Sequence, residues 1–426
     1  MGAGDIGQKP ARPARTGGGW ERTDIGDLLS TAALTIGAGS ATDAGRAQML
    51  PTEGHDEIVL ASGVPDAPTI PVSELRESLL AVLAEESLES MIYGGSLGFD
   101  GLREAVARRQ TAIEGIPIGP ENLILHNGSS GALDNICDAF IDRGEVVIVE
   151  GPSFSGTVRT IRGHGADVVE VGVDDNGVSV GSVRTALEEA NSAGQRVKIL
   201  YTIADCHNPT GTTMSLERRN ALLEICAEYG VIVLEDAAYS ELYFDGPPPP
   251  SLFALSGGRG VVRMGSFSKV IATGLRAGWV EAAPEYIEAL AKVRFDMGNS
   301  PLVQRALARY VDSGALEPHV DRMRSLYARK CDTLVRSLNE HCGPYLRFTL
   351  PTGGFFLWVE CIGASAGDVA HAAAEEGLVF AIGANFFRDG VNSDDSHLRL
   401  AFSYPPMEEL EEAGERMLRA FQRVVD

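Results

Sequence analysis

From residue 122 onward the chain sets short apolar, β-branched runs between helical patterns: NLILH (122–126), VVIVE (146–150), DVVEV (167–171), KILYTI (198–203), VIVLE (231–235), VVRMG (261–265) and AGWVEA (277–282). Several are continuously apolar instead of alternating, which is the pattern of strands covered on both faces. They predict an α/β fold with a mainly parallel seven-stranded sheet. Segments such as SLERRNALLEICAEYG (215–230) supply the covering helices, with Leu216, Leu222, Leu223 and Cys226 expected on one buried face. Open sheets of this kind hold ligands beyond the carboxyl ends of their strands. Chemistry is therefore expected in the loops that follow the runs.

The 426 residues exceed one ordinary core, so two domains are expected. A large domain is assigned to 76–309. The strongly helical stretch 300–342 then leads into a smaller α+β domain over 310–426, where FTLPTGGFFLWVE and HLRLAFS read as strands and MEELEEAGERMLRAFQRVV as a closing helix. Residues 23–75 are expected to join that smaller domain. Residues 1–22 mix Gly, Pro, Ala and Arg without the apolar centre of a leader and are expected to be a disordered tail. GPPPP (246–250) is a rigid turn or loop, and no internal repeat is present.

A formal charge of -23 disfavours nucleic acid or an anionic membrane as partner, because phosphates would be repelled over most of the surface. An anionic ligand then needs a local positive pocket. The six cysteines are scattered, with no C-x-x-C pair, which suits reduced thiols in a cytoplasmic enzyme better than disulfides or zinc. No run of about 18 apolar residues exists to span a bilayer.

Four polar clusters fall at strand ends. In HNGSSGALDNI the strand NLILH meets Gly128, Ser129 and Ser130 and then a helix, which makes either an anion site or a simple helix cap. In DCHNPTGTTM, Asn208 follows the strand KILYTI in a turn of common composition. In VIVLEDAAYSEL, Glu235 and Asp236 end a buried strand and Tyr239 follows. A carboxylate at that depth costs several kcal/mol unless it meets a cation or strong donors, so a structural ion pair and a cationic ligand atom are both open. In SFSKVIATGLRAGWV, Ser266 and Ser268 alternate on an extended segment around Lys269, and Arg276 can hold a phosphate with its planar fork. The chain has five lysines against thirty-one arginines, so Lys269 is poorly explained as one more solvated charge. A lysine held among cations or out of water loses basicity, which suits a Schiff-base amine.

A phosphate, a protonated ring nitrogen, a phenolate oxygen and an aldehyde would together satisfy these groups, and pyridoxal 5'-phosphate carries all four. The order N-P-T-G, D-x-x-Y, then S-x-S-K with an arginine seven residues later resembles the class I/II aminotransferases of fold type I, of the aminoadipate and aromatic aminotransferase branch, over about residues 60–405. The resemblance implies that Lys269 carries the cofactor, Asp236 keeps the ring nitrogen protonated, and Asn208 and Tyr239 bond the phenolate oxygen. It also implies that Ser129, Ser130, Ser266, Ser268 and Arg276 bind the phosphate and that Phe154 covers one ring face. Arg399 is similar to the arginine that grips the substrate α-carboxylate, with Gly63 and Asn208 beside it. Tyr93 is similar to the tyrosine that reaches a neighbouring subunit's phosphate, which implies a homodimer.

The implied reaction moves an amino group from an L-amino acid to a 2-oxo acid. Elimination, replacement or carbon–carbon bond formation on an amino acid is the alternative, since all begin by labilising a bond at Cα. A DNA-binding regulator with an effector domain of this type is disfavoured, because the preceding segment is short, acidic and glycine-rich. Ala204 and Cys206 ahead of Asn-Pro-Thr-Gly, and Ile382 ahead of a glycine, depart from the branch and bear on substrate more than on cofactor.

Overall fold

The computed structural model describes residues 24–35, 56–388 and 394–425; the tail expected at 1–22 lies outside the described residues. The large sheet contains β2 (Leu123–His126), β3 (Val146–Gly151), β4 (Asp167–Asp174), β5 (Gly177–Val178), β6 (Val197–Thr202), β7 (Ile232–Asp236), β8 (Val261–Ser266) and β9 (Gly278–Glu281), and is preceded in the chain by β1 (Ile58–Val59). Its spatial order is β2-β9-β8-β7-β6-β3-β4-β5. Neighbours from β8 through β4 run parallel, whereas β9 is antiparallel to both β2 and β8. All seven runs are strands, and β5 adds a short antiparallel eighth beside β4. The central strands are buried on both faces, as continuously apolar runs require.

The helix Leu216–Tyr229 corrects one expectation. Leu216 is 45% exposed and Leu223 only half-buried, while Arg219, Leu222, Ile225 and Cys226 form the buried face. Arg219 takes the place in the stripe assigned to Leu216, because its guanidinium finds the Met214 and Ala204 carbonyls and the Asp205 carboxylate beneath the helix. A hydrophobicity pattern passes over a buried charge that is satisfied in this way.

Beyond the large sheet, the helices Pro301–Asp312 and Leu316–Cys342 lead to a second, antiparallel sheet. It contains β10 (Leu346–Arg347), β11 (Phe356–Cys361), β13 (Ala381–Ile382) and β14 (His397–Ala401) in the order β10-β11-β14-β13, and β12 (Leu378–Val379) pairs with β1. The expected strand FTLPTGGFFLWVE forms only from Phe356, since 348–355 is a loop with Gly354 at φ +77. The closing helix is Met407–Val425, laid along Leu316–Cys342. β1 continues into Leu60, whose amide donates to Val379 and whose carbonyl accepts from Ala401. That stitching carries Ala61, Ser62 and Gly63 across the end of the large sheet beside β14.

Candidate active site

The carboxyl ends of β6, β7 and β8 and the N-terminus of the helix Gly128–Phe140 converge on one cleft. Lys269 stands in the turn after β8, half-buried, with its Nζ donating to the Gly63 carbonyl at 2.7 Å and lying 5.5 Å from the centre of the Tyr239 ring. Burial lowers its pKa to about 8, helped by the positive charges of Arg399 and Arg276 and opposed by Asp236. Far more of the amine is then neutral near physiological pH than for an ordinary lysine, as a nucleophilic lysine requires.

Asp236 closes β7. Its Oδ2 accepts from the Tyr201 hydroxyl at 2.8 Å and its Oδ1 from the Ala238 amide at 3.1 Å. Burial pushes its pKa up, while the Tyr201 and Ala238 hydrogen bonds and the Lys269 charge favour the carboxylate. Tyr239 is buried with its ring edge-on to Phe355 and Phe356, and burial raises its hydroxyl pKa. Arg399 on β14 is 1% exposed. It donates to Asn208 Oδ1 at 3.0 Å and to the Ala61 carbonyl at 2.8 Å, lies over the rings of Phe356 and Phe386, and has no partner for its Nε among the described residues. Burial brings even this guanidinium down to about 10. A buried cation supplied with only neutral acceptors is a ready site for a carboxylate.

At the other end of the cleft, the amides opening the helix Gly128–Phe140 meet Arg276. Gly128 has φ +71, and a Cβ there would lie 2.7 Å from an Arg276 nitrogen. Arg276 itself is left-handed at φ 48, exposed, and anchored on the Asn127 and Thr273 carbonyls. Ser129 is half-buried and Ser130 exposed, and both line a cavity of about 500 Å³ with Phe154, Thr157, Asp236 and Met264. Ser266 and Ser268 are buried, but they do not share one extended segment: Ser266 closes β8, and Ser268 sits in the turn beyond, its amide donating to the Ser266 hydroxyl at 3.1 Å. The turn is needed to swing Lys269 off the sheet.

The structure thus gathers Lys269, Asp236, Asn208, Tyr239, Arg399 and Gly63 at one end and Ser129, Ser130, Phe154, Ser266, Ser268 and Arg276 around the other. Tyr93 is 78% exposed and stands outside this group. Tyr201, Phe356 and Phe386 were missed in the sequence, because each lies in an apolar run and reads as core. The donor set fits pyridoxal phosphate: a helix terminus with a guanidinium for the phosphate, a carboxylate facing the cavity for the ring nitrogen, and a lysine amine of lowered basicity for the aldehyde.

Fold and site together define a pyridoxal-phosphate-dependent enzyme of fold type I. The family described as aminotransferase class I and II matches residues 55–417, and the chain belongs to it. Among curated relatives, an aromatic-amino-acid aminotransferase of Thermococcus litoralis is 32% identical over 370 residues, covering 86% of this chain and 88% of the relative. A 2-aminoadipate transaminase of Thermus thermophilus is 32% identical over 368 residues, covering 85% and 89%. Among solved structures, the α-aminoadipate aminotransferase LysN of Thermus thermophilus, complexed with N-(5'-phosphopyridoxyl)-L-leucine, superposes with a TM-score of 0.84 at 29% identity, covering 94% of this chain and 99% of that one.

Proposed function

We propose that this aminotransferase takes the α-amino group from an L-amino acid and gives it to a 2-oxo acid, with Lys269 as the covalent anchor and proton carrier. The observation that carries the reading is the Lys269 amine itself, lowered to about 8 and set between Asp236 and Arg399. Pyridoxal phosphate, when bound, supplies an aldehyde that condenses with amines and a pyridinium ring that accepts electrons from the substrate Cα. The remaining work falls to the chain. Asp236 keeps a proton on the ring nitrogen, and Tyr201 holds the carboxylate in place. Asn208 and Tyr239 donate to the ring oxygen, while Phe154 covers one face of the ring. Ser129, Ser130, Ser266, Ser268, Arg276 and the helix amides hold the phosphate.

Arg399 grips the substrate carboxylate with its planar fork. Gly63 lies beside it, where a Cβ would fall 2.7 Å from the Phe356 ring, so the strap must pass there without a side chain. Within this cleft the Lys269 amine would serve as the base and acid that takes and returns the proton of the substrate Cα. The substrates proposed are an L-amino acid donor, aromatic or 2-aminoadipate-like as in the named relatives, and a 2-oxo acid acceptor.

A homodimer belongs to the same reading. Met91, Ile92, Tyr93 and Phe295 are exposed on two segments that touch: Arg294 donates to the Ser96 carbonyl at 2.7 Å, and Gly298 abuts Gly95. That apolar patch suits a second copy, whose site Tyr93 would complete. Division into a large domain over 76–309 and a small one over 310–426 joined by 23–75 is supported by the pairing of β1 with β12. A cytoplasmic location is consistent with six unpaired, buried cysteines. No helix among the described residues is long and apolar enough to cross a membrane.

The test is to purify the protein with its cofactor, offer L-phenylalanine, L-2-aminoadipate and L-alanine singly with 2-oxoglutarate, and identify the products. Matching amounts of the donor's 2-oxo acid and glutamate support transamination. A product that has lost or exchanged a side-chain group would overturn it.

A further inference from the structure

Glu150 is a buried carboxylate that none of the steps above employs. It lies next to the last residue of β3 at 1% exposure, on the face of the sheet opposite Asp236. Its Oε1 accepts from the Thr202 hydroxyl at 2.5 Å and its Oε2 from the Ile203 amide at 2.8 Å. His207, also 1% exposed, brings Nε2 to 3.2 Å from Oε2, close enough for an ion-pair contact though not aligned as a hydrogen bond. The other nitrogen, Nδ1, faces the Thr210 hydroxyl at 2.9 Å and the Thr210 amide at 3.4 Å. An amide can only donate, so Nδ1 is the acceptor and the ring proton sits on Nε2, toward Glu150.

We propose that Glu150 and His207 are positioning residues that fix Asn208 and, through it, the grip of Arg399 on the substrate carboxylate. The proposal rests on the roles given above to Asn208 and Arg399. Three observations carry it. The turn that presents Asn208 is closed by the His207 amide on the Thr212 carbonyl at 2.8 Å and by the Gly211 amide on the His207 carbonyl at 2.6 Å. The His207 ring fills the inside of that turn and rests on Glu150, which in turn is tied to β6 by Thr202 and Ile203. Asn208 Oδ1 is one of only two acceptors that the guanidinium of Arg399 meets among the described residues, and the other is a backbone carbonyl. A shift of the turn therefore moves the one side chain that accepts a hydrogen bond from Arg399 among the described residues.

The chain Glu150–His207–Asn208–Arg399 runs from behind the sheet to the substrate end of the cleft. It does not touch the lysine amine and would meet the cofactor only through Asn208, whereas Arg399 lies wholly at the substrate end, so loss of these links should weaken substrate capture more than the proton transfer. A buried side chain that mattered only for folding would lower the melting temperature and leave the two kinetic constants in proportion.

The experiment uses the cofactor-loaded enzyme. Crystal structures, melting curves, and kcat and KM for the donor found active in the product assay are compared for wild type, Glu150→Ala, Glu150→Gln and His207→Ala. Expected for Glu150→Ala and His207→Ala are loss of the 3.0 Å Asn208–Arg399 contact and a KM raised by about tenfold or more, with kcat changed less than about threefold. Glu150→Gln keeps an acceptor for Ile203 and restores both contact and KM in large part. If Glu150→Ala does not fold, His207→Ala and Glu150→Gln decide the matter. The proposal fails if the contact survives in His207→Ala with KM unchanged, or if kcat falls while KM does not. Failure of wild type to form any 2-oxo acid would instead sink the reading beneath it, and the crystallographic contact is scored independently of turnover.

Discussion

Glu235 and Asp236 are consecutive residues at the end of one buried strand, and they point to opposite faces of the sheet. Glu235 accepts from the amides of Leu252 and Phe253 at 3.0 and 3.1 Å, in the first turn of a short helix, and lies 3.7 Å from Arg263. Around Arg263 stand Glu114, Glu281 and Gln110 as well, so the reverse face finds its partners from within the chain. Asp236 is held by Tyr201 and Ala238 but also lines the cavity with Ser129 and Phe154. Of the two readings that burial alone left open, Glu235 takes the structural one, and Asp236 faces the cavity as the other requires. Depth marks a costly group; only the direction it faces separates a structural charge from one that awaits a ligand.

The strongest way to break that contrast is through the cavity face. Lys269→Ala is expected to abolish the near-visible absorbance of the covalently held cofactor and to lower turnover by at least about a thousandfold. Persistence of that band in the purified variant would remove Lys269 from its assigned place. Next in size, Asp236→Asn should cut kcat by about a hundred- to a thousandfold with little change in melting temperature. Glu235→Gln should do the reverse, leaving kcat nearly intact while costing roughly 1–3 kcal/mol of stability in denaturant titrations. Equal kinetic losses from the two would erase the distinction between the faces. Arg399→Lys keeps the charge but loses the fork, and should raise the donor KM by about ten- to a hundredfold in initial-rate assays.

Two smaller effects sharpen the comparison through pH. Between about 8 and its ordinary 10.5, Lys269 is neutral in the native protein and protonated when unfolded. The unfolded chain binds the extra proton there, so stability of the cofactor-free protein due to this group rises with pH and is lost as pH falls toward 8. Lys269→Met should flatten that rise in melting temperature relative to wild type. On the reverse face, burial lifts the carboxyl of Glu281 from 4.5 to about 7 against the pull of Arg263. Here the native state holds the extra proton, and the contribution of Glu281 falls as pH climbs from 4.5 to about 7. Glu281→Gln should remove that fall without touching turnover.

Much of this was legible in the sequence because the sheet is covered on both sides. Runs such as VVIVE and VIVLE carry no alternation to confuse them with half-exposed strands, and each ends in the polar residues that the fold needs at the carboxyl edge. The candidate residues followed from the same rule, since Asp236 closes β7 and Asn208 and Lys269 stand in the loops after β6 and β8. Cross-strand relations were not legible. Tyr201 sits opposite Leu234 and reaches Asp236 diagonally, and no spacing along the chain reveals a register set by pairing. Arg219 and Glu150 were hidden for a different reason: a buried charge satisfied by backbone groups and side chains distant in sequence leaves no periodic trace. Leu216 failed in the opposite sense, as a leucine at the rim of a helix where Arg219 had taken the inner position.

The left-handed backbone of Arg276 carries a further consequence. At φ 48 a glycine would be the cheaper occupant, yet only an arginine offers a guanidinium at that spot. The residue is thus caught between two demands, one from the chain path and one from the phosphate it is proposed to bind. Substitutions there separate them: Arg276→Gly relaxes the loop while discarding the charge, and Arg276→Lys keeps the charge on a strained backbone. A protein engineered for heat resistance by the usual preference for glycine at positive φ would lose its hold on the cofactor first, and such a survey should leave this position alone.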